Sequence, residues 1–173
     1  MRRKLNAALF VLLLASLCQS SLSAQERGPS TEQERRRAVE LATSLENEPL
    51  GKNAKDYRRE LFLFLVQVPD INVTLCTNVL GDPKKIKGDY SAEISGQQIF
   101  SQARFIIQNP ELANDQHQVY LAGVEGTLRA YTALKQAKPK VKIEGFELLL
   151  TKQQAGHLSE FVKSAMSGCK SDK

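Results

Sequence analysis

Cys76 and Cys169 are the residues whose chemistry the sequence constrains most. They are the only cysteines after Cys18, and in an oxidising compartment two such thiols are expected to pair. Closing a loop of that size is worth about 4–5 kcal/mol in the chain-entropy account. It would tie the C-terminus to the middle of the chain. A reactive or metal-binding thiol would need a basic or ligand cluster beside it, and no such cluster can be located in the sequence.

The two histidines, His117 and His157, lie in different predicted helices. Asp115 stands near the first and Glu160 near the second, but neither spacing supplies three ligands for a metal. A lone histidine beside a helix start reads as a cap or a solvated side chain. A Cys–His nucleophile would need Cys76 or Cys169 reduced and set against His157, which the disulfide opposes. Glu125 and Glu147 sit near apolar faces, yet nothing in the linear order brings them together as a hydrolytic pair. The sequence holds no Gly-rich phosphate loop, no His-Glu-x-x-His, no Cys-x-x-Cys and no Gly-x-Ser-x-Gly. No catalytic residue, cofactor or metal ligand is therefore expected. An enzyme of unrecognised type would require a deep pocket that gathers His157 with Glu147 or Glu160.

Lys135, Lys138, Lys140 and Lys142 are the best hint of a partner, together with Lys84, Lys85 and Lys87. Such a patch suits an acidic protein, anionic lipid headgroups or a polyanionic glycan, bound with salt-sensitive affinity. The plainer reading is that these lysines keep a connector solvated.

These residues need a compartment and a scaffold. Met1 to Ala24 reads as a secretory signal: Arg2, Arg3 and Lys4, the apolar run Ala7 to Ala15, then small residues up to cleavage after Ala24. The run is too short to span a bilayer. Lipidation at Cys18 is disfavoured because bulky Leu17 precedes it. Three of the 24 Lys and Arg residues leave with the signal and none of the 19 Asp and Glu, which leaves +2. That charge argues against nucleic acid as partner. A periplasmic or extracellular protein follows. Residues 25–173 suit a single helical domain, with a frayed start over 25–30.

The spacing predicts an all-α bundle of about five to six helices around a central antiparallel pair, about 90–108 and 115–137. Pro110 ends the first of these near Gln108, and Asn114 or Asp115 caps the second. Ala92, Gly96, Ile99, Phe100, Ala103, Ile106 and Ile107 form one face of the first helix, with Gln97, Gln98, Ser101 and Arg104 opposite. On the second, small residues gather on a face opposite Glu125, Arg129 and Gln136. Glycine inside a helix costs roughly 1 kcal/mol relative to alanine, so Gly96, Gly123 and Gly126 are expected to mark a close crossing. Thr31 with Glu34 predicts a capping box ahead of a helix that stops near Glu48-Pro49. Arg35, Arg36 and Arg37 balance Glu32, Glu34 and Glu40 on its solvated face. Ala54 to Gln67 reads as a helix buried on several sides, with Leu61 to Val68 as core. Between Pro69 and Gly88 a short helix is favoured over a strand. Lys138 to Lys142 is an extended connector, and the last amphipathic helix points Cys169 inward.

Ser95-Gly96 at a helix start, the run Tyr120-Leu121-Ala122-Gly123-Val124-Glu125-Gly126 and the late helix closing on a cysteine resemble small periplasmic immunity proteins of the Tai family. The resemblance covers roughly Ser95 to Cys169, and the family's additional helical cysteines have no counterpart here. It implies a binder that neutralises a toxin domain through a helix face, and an exposed groove beside Gly123 would favour it. The residues themselves support a noncatalytic exported protein that binds another macromolecule.

Overall fold

Thr31 and Glu34 form the reciprocal box that their spacing predicts: the Thr31 hydroxyl accepts from the Glu34 amide, and the Glu34 carboxylate accepts from the Thr31 amide. From it runs α1 (Glu32–Asn47), followed by α2 (Ala54–Gln67), α3 (Ser91–Gln108), α4 (Gln116–Ala137), α5 (Glu144–Gln154) and α6 (Leu158–Ala165). This computed structural model describes residues 27–169, and over them the regular structure is all helical, with the six helices packed together. The signal segment, its cleavage point after Ala24 and Cys18 lie outside the described residues.

Proline and cap chemistry set the central pair as expected. α3 ends at Gln108 just before Asn109-Pro110, and the Asp115 side chain accepts from the Gln118 amide to start α4. α1 lies against both, α2 packs on α1, and α5 and α6 cover the far part of α4. The largest core joins Leu128, Tyr131 and Leu134 of α4 to Phe146, Leu149 and Val162. A second is built from Ala38, Leu41, Leu45, Leu61 and Phe100, where α1, α2 and α3 meet.

The glycine seam holds at two of three positions. A Cβ on Gly123 would lie 2.9 Å from the Gln98 carbonyl oxygen. One on Gly126 would fall inside the Ser101 side chain and 2.6 Å from Glu46 Oε1. Gly96 takes no part: nothing lies within 4 Å of its would-be Cβ. The reason is a rotation of α3 relative to the apolar-face reading. Gln97, Gln98 and Ser101, expected outside, are buried, while Ala92 is exposed.

The buried glutamines have partners that periodicity cannot reveal, although Gln98 Oε1 and Gln102 Nε2 are left without one. Gln98 Nε2 donates to the Cys76 carbonyl (3.1 Å) and Gln102 Oε1 accepts from the Thr74 amide (3.3 Å). Two glutamines one helical turn apart thus hold alternate residues of an extended segment in register. This corrects the short helix expected after Pro69. The chain is extended up to Cys76, and beyond it only two short 3₁₀ turns form, Thr77–Leu80 and Pro83–Lys85.

A second correction concerns Leu61 to Val68. Leu61 and Val68 are buried, but Phe62, Leu63 and Val66 are 54%, 48% and 68% exposed. α2 has its core partners on one side only, so its outer residues meet solvent however apolar they are. The arginines of α1 behave as a solvated face: Arg36 pairs with Glu32, Arg37 with Glu60, and Arg35 with Asp70. Cys76 and Cys169 are joined with a Cα–Cα distance of 5.6 Å, within the ordinary range for a disulfide. Among the described residues no helix is long and apolar enough to cross a membrane.

Candidate partner-binding face

Two lysine-bearing segments far apart in sequence meet at Gly145, the second residue of α5. A Cβ there would lie 2.7 Å from Ile86 Cγ1 and 3.4 Å from the Lys85 carbonyl, so glycine allows the 82–88 loop to sit directly on the start of α5. Lys85 Nζ closes the contact on Glu144 Oε1 at 2.9 Å, and that carboxylate holds the Lys85 ammonium above its usual range. The loop carrying Lys84 and Lys87 therefore meets the first turn of α5, which directly follows the connector carrying Lys138, Lys140 and Lys142. All five are exposed, and among the described residues none has a carboxylate within ion-pair distance.

Lys135 leaves this set. Its Nζ donates to Glu147 Oε1 at 2.7 Å and lies 5.6 Å from the centre of the Tyr131 ring. It is a structural cation rather than a free one, because the first turn of α5 brings Glu147 back onto α4. Tyr131 completes the clamp. Its hydroxyl donates to the same Glu147 oxygen at 2.7 Å and accepts from the Ile143 amide at 2.9 Å, fixing the end of the lysine connector to α4. The Lys135 ammonium, aided by the Tyr131 hydroxyl, holds the Glu147 carboxyl below the usual carboxylate range. Burial pushes the Tyr131 phenol up from 10.0 to about 12.

Tyr131→Phe is expected to cost about 1–3 kcal/mol, since it leaves the buried Ile143 amide without its acceptor. Urea unfolding measures it, and an unchanged midpoint would show that the hydroxyl holds nothing. The raised phenol pKa carries its own sign: its share of stability is complete below about 10 and is lost as pH rises through about 12. Burial raises the Tyr120 phenol as well, so alkaline titration of the phenolate absorbance should show late-titrating tyrosines and lose the Tyr131 contribution in Tyr131→Phe.

The other sequence candidates are dispersed. His117 Nε2 lies 3.1 Å from the Ser159 carbonyl oxygen and 3.2 Å from Ser159 Oγ, joining α4 to α6. The carbonyl only accepts, so this contact places the proton on Nε2, where it is no base for the serine. His157 and Glu160 share an open surface hollow with Lys152, Phe161 and Ser164, and both are exposed. Glu147 is not among them. Glu125 does not approach Glu147, which belongs to the Tyr131–Lys135 clamp.

Sequence reasoning passed over Glu46. It is 2% exposed, accepts from Ser101 Oγ at 2.6 Å and Arg129 Nε at 2.7 Å, and has Arg104 Nη2 at 3.3 Å. The signal was present, because Glu46 falls four residues after Ala42 on the apolar stripe of α1. A carboxylate there needs cations within reach, and Arg104 and Arg129, both read as solvent-facing, turn their guanidinium groups onto it from the bundle surface.

Gly123 lines no groove. It is buried against Gln98 and Gln102. No family model matches this chain, and neither does any curated protein or solved structure.

Proposed function

We propose that this is an exported protein that works by binding rather than catalysis, and that its partner is an acidic macromolecule docking on the lysine face around Gly145. The observation that supports this is the seating of the 82–88 loop on the start of α5, through Ile86 against Gly145 and Lys85 on Glu144, immediately after the 138–143 connector whose last residue Tyr131 holds; Lys84, Lys87, Lys138, Lys140 and Lys142 are all exposed. Lysines that served solvation alone would not need their backbone fixed by a buried tyrosine and a glycine contact. Clamping lowers the ordering cost that a flexible basic loop would carry into a complex. The immunity-type reading gains no support at Gly123, where a groove would have favoured it and packing against Gln98 and Gln102 leaves none.

The test is binding to an immobilised polyanion at low ionic strength. Lys138→Ala/Lys140→Ala/Lys142→Ala should slow association by about tenfold or more, with the difference shrinking as salt rises. Equal rates for the variant and the parent protein would end the proposal.

A further inference from the structure

Glu46 does more than join three helices. Its carboxylate, 2% exposed, is shared by two guanidinium groups, that of Arg104 from α3 and that of Arg129 from α4. Glu125 reaches Arg104 only through its field, so the two arginines carry one positive charge more than the carboxylate between them. Burial holds the Arg104 guanidinium below its usual range, and Arg129 pushes the same way against the pull of Glu46. Two cations on one anion leave room for a second anion.

Arg129 is also fixed from behind. Its Nε donates to Glu46 Oε2 at 2.7 Å and its Nη2 to Oε1 at 3.2 Å, which sets the plane of the guanidinium before any ligand arrives. Those bonds use one edge. The other edge, Nη1 with the second Nη2 hydrogen, is left for an acceptor, and the side chain is 41% exposed. Arg129 lines a hollow of about 280 Å³ where the end of α1, one face of α4 and the end of α5 come together. Arg129, Thr132 and Gln136 follow at helical spacing on α4, Asn47 adds an amide from α1 and Gln153 another from α5. All five are exposed. Amide and hydroxyl groups both donate and accept, so they match hydroxyl groups rather than a second charge. The volume lies just below the roughly 300 Å³ at which ligand pockets begin, so the occupant is small. The carbonyl end of α1 opposes an anion with roughly half a charge, and the excess charge of the arginines outweighs it.

We infer that this hollow binds a small hydroxylated carboxylate of the size of a monosaccharide acid. Its carboxylate takes the free edge of Arg129, and its hydroxyl groups pair with Asn47, Thr132, Gln136 and Gln153. A neutral sugar would leave the oriented guanidinium unused, and a bare anion would leave the amides unused. The site shares no residue with the lysine face and stands or falls separately from it.

Titration with D-galacturonate, followed by backbone amide and arginine Nε chemical shifts, tests this on the chain from Gln25 onward with its disulfide intact. Saturable shifts at Arg129 and along the same face of α4 are expected, with a Kd on the order of 1 mM for a ligand of that size. Galactose, which has a hydroxymethyl group in place of the carboxylate, should bind about tenfold or more weakly, and so should acetate, which lacks the hydroxyl groups. Arg129→Lys keeps the charge, loses the fork and should weaken galacturonate about tenfold or more. Gln136→Ala/Gln153→Ala changes only exposed side chains and should weaken it about fivefold; it carries the test if circular dichroism shows Arg129→Lys to be unfolded. Lys138→Ala/Lys140→Ala/Lys142→Ala should bind galacturonate as the parent protein does. No saturable shift, equal affinity for galactose or acetate, or unchanged affinity in a folded hollow variant overturns the inference while leaving the lysine proposal standing. Binding lost in the triple lysine variant also overturns it, by assigning the ligand to the lysine face.

Discussion

Gly126→Ala is expected to lower stability by about 2–5 kcal/mol, although the same change on an exposed helix raises it by about 1 kcal/mol. The sign reverses because the new methyl group would occupy the Ser101 side chain and press on Glu46 Oε1. Overpacking alone costs about 1–3 kcal/mol. Displacing Ser101 also breaks its 2.6 Å bond to a carboxylate that is 2% exposed, and a hydrogen bond to a charged group is worth about 1.5–3 kcal/mol. The propensity gain of about 1 kcal/mol offsets only part of this. The melting temperature should fall by roughly 5–15 °C, and Gly126→Leu should do worse. Gly96→Ala is the internal control. It sits in a helix with open space around its would-be Cβ, so it should gain up to about 1 kcal/mol. Equal effects at the two positions, or an unchanged melting temperature for Gly126→Ala, would show that α3 and α4 do not cross there.

Where a boundary depends on neighbours in sequence, the sequence carried it. Thr31 with Glu34, Asn109-Pro110 and Asp115 act within a few residues of themselves, and the helix limits follow them. What failed was the direction of helix faces, because that depends on partners that no local pattern encodes. Ser101 reads as solvent-facing until Glu46, 55 residues earlier, is placed against it. Gln98 reads the same way until the Cys76 carbonyl is placed to accept from its amide. The reverse error at Phe62, Leu63 and Val66 has the same origin: apolar density measures how much a helix could bury, and the number of helices laid against it decides how much it does. The lysine face was half legible. Both groups of lysines stand out in the sequence, but Gly145, which seats the 82–88 loop on α5, carries no periodic signal, and Lys135 cannot be told from its neighbours without Glu147 one turn into α5.

Loss of the Cys76–Cys169 bond should cost about 4–5 kcal/mol, because it closes a loop with a sequence separation of 93 and so removes much of the freedom of the unfolded chain. The folded state has little reason to change when the bond is opened. Cys76 remains held through its carbonyl by Gln98. Asn78 Nδ2 still donates to the Gly168 carbonyl at 2.8 Å, beside Cys169. Cys76→Ala/Cys169→Ala should therefore keep the helical spectrum while its denaturation midpoint drops. Its denaturant dependence should steepen, since an unfolded chain without the tie exposes more surface. Intact mass after denaturation and alkylation supplies the direct check: with reduction the chain from Gln25 should take two labels, and without it none. Equal labelling would remove the bond, and with it the expected difference between the two unfolded states. A lowered midpoint with an unchanged slope would instead assign the loss to native contacts around Cys76, which is buried against α3 and α4, rather than to the unfolded chain.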